Sequence, residues 1–77
     1  MSPDKLVRMA NQIAKFFESQ PGSDQAERVA AHLSDFWDPS MRAALIAAAA
    51  GGDIGLTPLA SKAVRVLDNR DAAKRAS

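Results

Sequence analysis

The seven residues Phe36-Trp37-Asp38-Pro39-Ser40-Met41-Arg42 decide how this chain folds. They contain the only tryptophan, the end of one predicted helix and the start of the next. Asp38 can cap a helix N-terminus, and Pro39 suits the first helical position because its missing N–H is not needed there. The stretch therefore predicts a sharp junction between two helices, with a bulky aromatic side chain beside a lone arginine. No residue in it predicts catalysis, and we expect a functional surface here.

The length and composition of the chain limit what it can be. Seventy-seven residues form one small domain, and a core of that size rarely contributes more than about 3–5 kcal/mol. The absence of cysteine excludes a disulfide, a thiolate metal site and a thiol nucleophile. No apolar run approaches the roughly 18 residues of a membrane span, and the first five residues lack the apolar region of a signal peptide. We therefore expect a cytoplasmic protein.

Apolar periodicity and capping residues predict four helices and no strand. The predicted helices cover residues 2 to about 19, 23 or 24 to 37, 39–50 and 59 to about 69. A cap residue followed by proline predicts three of the starts: Ser2-Pro3, Asp38-Pro39 and Thr57-Pro58. In the second helix, Asp24 and Glu27 resemble a capping box, and the apolar stripe consists of Ala26, Val29, Ala30, Leu33, Phe36 and Trp37. The predicted fold is all-α, a compact bundle of about four short helices. Residues 1–67 form a single helical domain, and residues 68–77 form a frayed, flexible polar tail.

The third predicted helix is apolar on all sides. Large side chains lie on one side of it, and the opposite side carries Ala43, Ala44, Ala47 and Ala50. A helix that is apolar all round is normally buried on more than one side, and three companion helices can hardly surround it. We expect this alanine face to meet another chain, although alanine is also simply the best helix former.

A search for catalytic groups and ligands gives no candidate. His32 is the only imidazole, and Ser34 points away from it around the helix, so the two cannot share a proton. We expect His32 to be hydrogen-bonded to Asp35 or stacked near Phe36. The glycine-containing segment 51–55 follows a helix rather than a strand and has no lysine after it, unlike a phosphate-binding loop. We therefore predict no catalytic residue, no cofactor-binding residue and no metal ligand.

A helix-turn-helix that binds DNA is a weaker alternative. The third helix, a glycine-containing turn and the fourth helix have roughly the right lengths. However, the first turn of the would-be recognition helix, residues 57–61, offers no Arg, Asn or Gln for base edges. Only Lys62 and Arg65 could contact phosphates from its exposed face, and the whole chain has a net charge of +1. We expect neither a nucleic acid nor a membrane as partner.

Four stretches of the chain carry a family resemblance. They are Lys5-Leu6-Val7-Arg8-Met9-Ala10-Asn11-Gln12-Ile13-Ala14-Lys15-Phe16-Phe17, Ala31-His32, Phe36-Trp37-Asp38-Pro39-Ser40-Met41-Arg42 and Gly55-Leu56-Thr57-Pro58-Leu59. Over most of residues 5–67 the chain resembles the delta subunit of NAD-dependent formate dehydrogenase. The string in the first helix and the Phe-Trp-Asp-Pro junction are the specific parts of the match.

The resemblance implies a place in a soluble bacterial complex that oxidises formate to carbon dioxide and reduces NAD. In that family the alpha subunit carries a molybdenum–pterin centre and iron–sulfur clusters. The beta and gamma subunits carry flavin mononucleotide (FMN), further clusters and the NAD site, whereas the delta subunit has no cofactor of its own. The implied role is accessory: docking on the large alpha subunit and supporting assembly, cofactor maturation or stability of the complex.

Two hypotheses describe the contact surface. In the first, the polar side of helix one and the junction dock on the alpha subunit, because aromatic and arginine side chains are favoured at binding hot spots. The expected contact residues are Arg8, Asn11, Gln12, Trp37, Pro39, Met41 and Arg42. Trp37 could instead hold helices two and three together, which leaves the contact to Arg42 and helix one. In the second hypothesis the chain is a self-associating structural domain, a homodimer through the alanine face and the surplus apolar edge at Met9 and Phe16.

Overall fold

The computed structural model describes the backbone of residues 2–76 and the side chains of residues 2–74, and the regular structure in this range is helical throughout. The helices are α1 (Pro3–Glu18), α2 (Gln25–Phe36), α3 (Pro39–Ala50) and α4 (Pro58–Ala76). The predicted all-α bundle of about four helices is thereby confirmed. Helices α1 and α3 begin and end within about one residue of the predicted positions.

Three helices begin as the sequence predicts, with a capping side chain directly before a proline. In each case the side-chain oxygen accepts a hydrogen bond from a backbone N–H of the first helical turn, which would otherwise lack a partner. The bonds run from Lys5 N–H to Ser2 Oγ (3.4 Å), from Met41 N–H to Asp38 Oδ1 (2.9 Å) and from Ala60 N–H to Thr57 Oγ1 (3.2 Å). Short-range chemistry therefore sets these three starts.

The start of α2 differs from its prediction. Asp24 is the N-cap residue, but its side chain makes no cap hydrogen bond to a described residue. The capping box predicted for Asp24 and Glu27 is therefore wrong. The Asp24 backbone is not extended there (φ −110°, ψ 29°), and the carboxylate instead lies 3.1 Å from Arg28 Nε, one helical turn further on.

Helix α4 is longer than the sequence predicts. The expected end near Asn69 is wrong, because the helix continues to Ala76. Asp71, in the added part, forms an ion pair with Arg42 of α3, and both side chains are only 13% exposed. This contact between helices holds a segment whose own composition predicts fraying. The flexibility predicted for residues 68–77, and the division of the chain at residue 67, remain predictions, and residue 77 lies outside the described residues.

The core is small and mostly aliphatic. Helix α2 packs most extensively on α4, and α1 and α3 complete the bundle. The largest fully buried side chains are Leu6, Val29, Leu33, Leu45 and Leu67, and small residues pack between them: Ala10, Ala14, Ala30, Ala60 and Ala63. Close packing of leucine against alanine brings the helix axes near each other. One face of α1, the end of α2 and much of α3 are left outside this core.

Candidate functional site

The seven residues predicted to contact a partner lie in different environments. Their side chains range from fully exposed to buried, so they do not form one surface of uniform character. Arg8, Gln12 and Pro39 are exposed, Asn11, Met41 and Arg42 are half-buried, and Trp37 is buried. Met41 packs against the core.

Trp37 belongs to the hydrophobic core and is 6% exposed. It is the residue after the last turn of α2, where the backbone becomes extended (φ −94°, ψ 139°). The chain therefore leaves the helical path at the tryptophan, and the indole packs with the buried residues of the bundle. This burial favours the role of holding helices together, which the sequence left open, over the role of contacting a partner.

The Arg42 guanidinium is bonded within the chain at several positions. Its Nη1 donates to the carbonyl oxygens of Trp37 (2.7 Å) and Ser34 (3.4 Å), and its Nε donates to Asp71 Oδ2 (3.3 Å). A cation at these carbonyls compensates the negative end of the α2 dipole. Arg42 therefore connects α2, α3 and α4, and its side chain is only 13% exposed. Among the described residues, Asp71 Oδ1 has no hydrogen-bond partner.

Asp38, between Trp37 and Pro39, also forms its hydrogen bonds with neighbouring residues of the chain. Its Oδ1 accepts hydrogen bonds from Ser40 Oγ (2.7 Å) and from the Met41 backbone N–H (2.9 Å). The Ser40 hydrogen bond, followed by that of Met41, lowers the pKa of the Asp38 carboxyl below its ordinary value, because both favour the ionised form. The junction is thus organised by its own side chains.

The Asn11 side chain connects α1 to the loop between α3 and α4. Its Nδ2 donates to the Gly55 carbonyl oxygen (2.9 Å), and its Oδ1 accepts from the Thr57 backbone N–H (2.9 Å). Gly55 has φ +90°, a conformation that side-chain-bearing residues rarely adopt, and this presents its carbonyl to Asn11. The amide uses both of its ends to position the start of α4. Of the seven predicted contact residues, only Arg8, Gln12 and Pro39 are therefore exposed and make no such hydrogen bond among those described.

A different surface carries the large exposed apolar side chains. In the described part of the chain, these are Phe16 at 62% and Phe36 at 74% exposure. We call Phe16, Phe17, His32 and Phe36 the aromatic row, because their rings follow one another across α1 and α2. The ring centroids are 5.2 Å apart for Phe16 and Phe17, 6.3 Å for Phe17 and His32, and 4.6 Å for His32 and Phe36. The expected stacking of His32 near Phe36 is confirmed.

A shallow groove runs beside the aromatic row. It has a volume of about 290 Å³ and is lined by Gln12, Ile13, Phe16, Phe17 and His32. Nearly all of the groove's surface is apolar, and its lining contains no carboxylate, lysine or arginine. Such a surface offers apolar contact and one amide, and it provides no charged group for chemistry or for ion binding.

The sequence does not predict the aromatic row, because helical periodicity places Phe36 in the apolar stripe of α2. Phe36 follows Leu33 by three residues and is rotated from it by about 60° toward His32. It is also the last residue of the helix, where the packing of α2 ends. The expectation that Phe36 lies in the apolar stripe facing the core is therefore wrong. The sequence does contain one signal for this surface. The surplus apolar edge at Phe16 indicates that part of helix one exposes apolar side chains.

The remaining described residues add no cluster of reactive groups. Among them, no set of three or more His, Cys, Asp or Glu side chains is close enough to hold a metal ion. Every helix within residues 2–76 falls short of the length and apolar character that crossing a membrane requires.

The fold and this surface define a small all-α protein with an aliphatic core and an exposed aromatic surface. A family model for the NADH-dependent formate dehydrogenase delta subunit, FdsD, matches residues 5–64. The chain belongs to this family, which confirms the resemblance seen in the sequence. Comparisons with curated proteins and with solved structures found no match.

Proposed function

We propose that this chain is a non-catalytic accessory subunit of an NAD-dependent formate dehydrogenase complex. It docks on the large, molybdenum-containing alpha subunit and through it joins the beta and gamma subunits. There it supports assembly, cofactor maturation or stability of the complex in the cytoplasm. The family match over residues 5–64 supports membership of the complex, and the exposed aromatic side chains support a docking role.

The observation that carries this proposal is the exposure of Phe16 and Phe36 in a chain of this family. Large apolar side chains that stand in water are stabilised when a partner covers them, because burial of apolar surface is the main favourable term in association. Both rings belong to helices that the family match covers. A folded chain of 77 residues thus has an apolar surface available for a larger protein.

The same proposal assigns the chemistry and the cofactors to the partner subunits. His32 lies between two phenylalanine rings, which gives its imidazole apolar neighbours rather than a nucleophile to activate. Molybdenum–pterin, iron–sulfur clusters, FMN and NAD then belong to the other chains, and this chain holds none of them.

The test is to tag the chain in its native cell and identify what co-purifies with it. Recovery of a formate-oxidising complex that contains molybdenum and flavin is the expected result. Deleting the gene for the chain then separates the accessory roles, since a loss of assembled enzyme and a loss of molybdenum per enzyme are measured separately. Recovery of nucleic acid, or of no partner, would overturn the proposal.

A self-associating domain is the second candidate, and one observation favours it. The alanine face of α3 is exposed at Ala43, Ala44, Ala47 and Ala50, so the surface expected to meet another chain is uncovered. Sedimentation of the isolated chain distinguishes the two candidates. A stable dimer at micromolar concentration favours self-association, and a monomer favours the accessory subunit.

A further inference from the structure

We infer that the aromatic row is the docking surface of this chain, and that its occupant is an uncharged, apolar, concave surface on a larger protein. This inference rests on the proposed function and names the surface and the partner chemistry that it requires. It replaces the junction around Trp37 and Arg42, whose groups are buried or already bonded within the chain.

The two outer rings of the aromatic row are exposed to solvent. Phe16 and Phe36 are at opposite ends of the aromatic row, and Phe17 and His32 lie between them and anchor the row to the bundle. Ring contacts with these neighbours limit the motion of the outer rings, so little side-chain freedom is lost on binding. Aromatic side chains, including phenylalanine, are enriched in the buried cores of protein interfaces.

The chemistry of the groove sets the character of the partner. None of the five residues that line the groove is a carboxylate, a lysine or an arginine, and Gln12 is the one side-chain amide among them. A charged partner group placed there would lose its hydration without gaining an ion pair. The partner surface is therefore apolar where it meets the rings, with a hydrogen-bonding group within reach of Gln12 at most.

The available apolar area favours a larger protein over a second copy. At the observed exposures, Phe16 and Phe36 together offer roughly 270 Å² of side-chain surface. A stable interface buries about 800 Å² on each partner, which is a large share of the 4846 Å² accessible surface of this chain. Two copies pairing ring to ring supply only the same narrow row twice. A larger partner with a concave surface can enclose the rings and also contact the helices beside them.

The experiment uses the tagged chain in its native cell, in wild-type form and with Phe16→Gln and Phe36→Gln combined. Glutamine is a good helix former and both positions are exposed, so helicity and the thermal midpoint of the purified chain are expected to stay the same. The amount of formate dehydrogenase recovered per tagged chain is expected to fall at least tenfold, because each ring acts as a hot spot. The matched control combines Ala44→Gln and Ala47→Gln on the exposed face of α3 and is expected to recover as much enzyme as the wild type.

The outcomes separate this inference from the proposed function. If the wild-type chain recovers no formate dehydrogenase, the proposed function fails and the aromatic row has no assigned partner. If the wild type recovers the enzyme and the phenylalanine variant recovers it equally, the surface is wrong and the function stands. If the variant of the alanine face loses recovery of the enzyme and the phenylalanine variant does not, the docking surface lies on α3. A wild-type dimer that the phenylalanine variant abolishes would make a second copy the occupant.

If the double variant were to lose helicity, the two single variants keep the inference testable. Phe36→Gln changes the last residue of α2, and Phe16→Gln changes the outer face of α1, so neither removes a core contact. Each single variant is expected to lower recovery severalfold at unchanged thermal midpoint. Full recovery with both single variants would overturn the inference.

Discussion

Phe36 and Trp37 are adjacent in the sequence but lie in opposite environments. Phe36 is 74% exposed at the end of α2, and Trp37 is 6% exposed in the core. The difference arises because the backbone leaves the helix between them, so the two side chains no longer follow one helical period. Tryptophan is a residue type typical of binding hot spots. In this chain, however, Trp37 packs in the core and holds the bundle together.

The same contrast extends to the regions around these two residues. At the junction, Arg42 and Asp38 direct their hydrogen bonds to the chain itself, so the polar groups there stabilise the fold. Along the aromatic row, the rings contact one another and leave their outer faces to solvent. The sequence predicts the junction as a contact surface and, of the aromatic row, only the edge at Phe16. The internal bonds and the burial distinguish the two regions. The distinction can be tested residue by residue.

The largest effect on stability is expected from Trp37→Ala. Truncation of a buried tryptophan removes apolar contacts and leaves a cavity, which costs about 3–5 kcal/mol. Because a core of this size contributes little more than that, the variant should be largely unfolded at 25 °C. The adjacent control, Phe36→Ala, should change the free energy of unfolding by less than about 0.5 kcal/mol. Urea unfolding followed by circular dichroism measures both, and equal losses would remove the contrast between the two residues.

The next largest effect is expected from Arg42→Met. Removing the guanidinium leaves Asp71 with an unpaired, mostly buried carboxylate, and also frees two backbone carbonyl groups, at a cost of about 1–3 kcal/mol. Arg28→Met is the matched control, because Arg28 pairs with Asp24 at a site about half exposed. That pair should contribute less than about 1 kcal/mol. A control variant that lost as much stability as Arg42→Met would show that burial of the Arg42 pair has no special role.

A smaller loss, about 1 kcal/mol, is expected from Asn11→Ala, because two hydrogen bonds to the loop before α4 are removed. The loss should also be local. Hydrogen exchange of the Thr57 backbone amide should become faster, since its acceptor is the Asn11 side chain. Gln12→Ala, at the next and exposed position, should leave both stability and Thr57 exchange unchanged. If Thr57 exchange did not respond to Asn11→Ala, the bridge from α1 to the loop would be absent in solution.

The smallest effect is expected from the titration of Asp38. Hydrogen bonds from Ser40 and Met41 lower its pKa in the folded chain. The ionised carboxylate therefore stabilises the fold above the ordinary pKa of aspartate, and that contribution is lost as the pH falls through the lowered pKa. Asp38→Asn keeps a capping oxygen but cannot titrate. The stability difference between the two proteins should therefore shrink on acidification, and a difference that grew would reverse the assigned direction of the shift.

Sequence reasoning succeeded where the determinants are local. Ser2-Pro3, Asp38-Pro39 and Thr57-Pro58 each set a helix start through hydrogen bonds that reach only three residues along the chain. The family resemblance was also carried by short strings of residues, and the match over residues 5–64 confirmed it.

Sequence reasoning failed where the determinants are distant in the chain. The Asn11 bridge connects residues 44 and 46 positions apart, and the Arg42–Asp71 pair spans 29 positions. Helical periodicity contains no information about such partners. It therefore ended α4 too early, and it gave no sign that Asn11 and Arg42, which stay predicted contact residues, bond within the chain. The exposure of Phe36 has the same origin, because the packing of α2 against its neighbours decides where the buried stripe stops.

Hydroxyl-radical footprinting of the chain, alone and within the purified formate dehydrogenase complex, tests the central claim most directly. The method reports side-chain solvent access for adjacent residues separately. We predict that Phe16 and Phe36 are oxidised in the isolated chain and protected in the complex, whereas Trp37 is protected in both. The account would be contradicted by the opposite pattern. In that pattern, Phe16 and Phe36 are still oxidised in the complex, and Trp37 is accessible in the isolated chain and protected only in the complex.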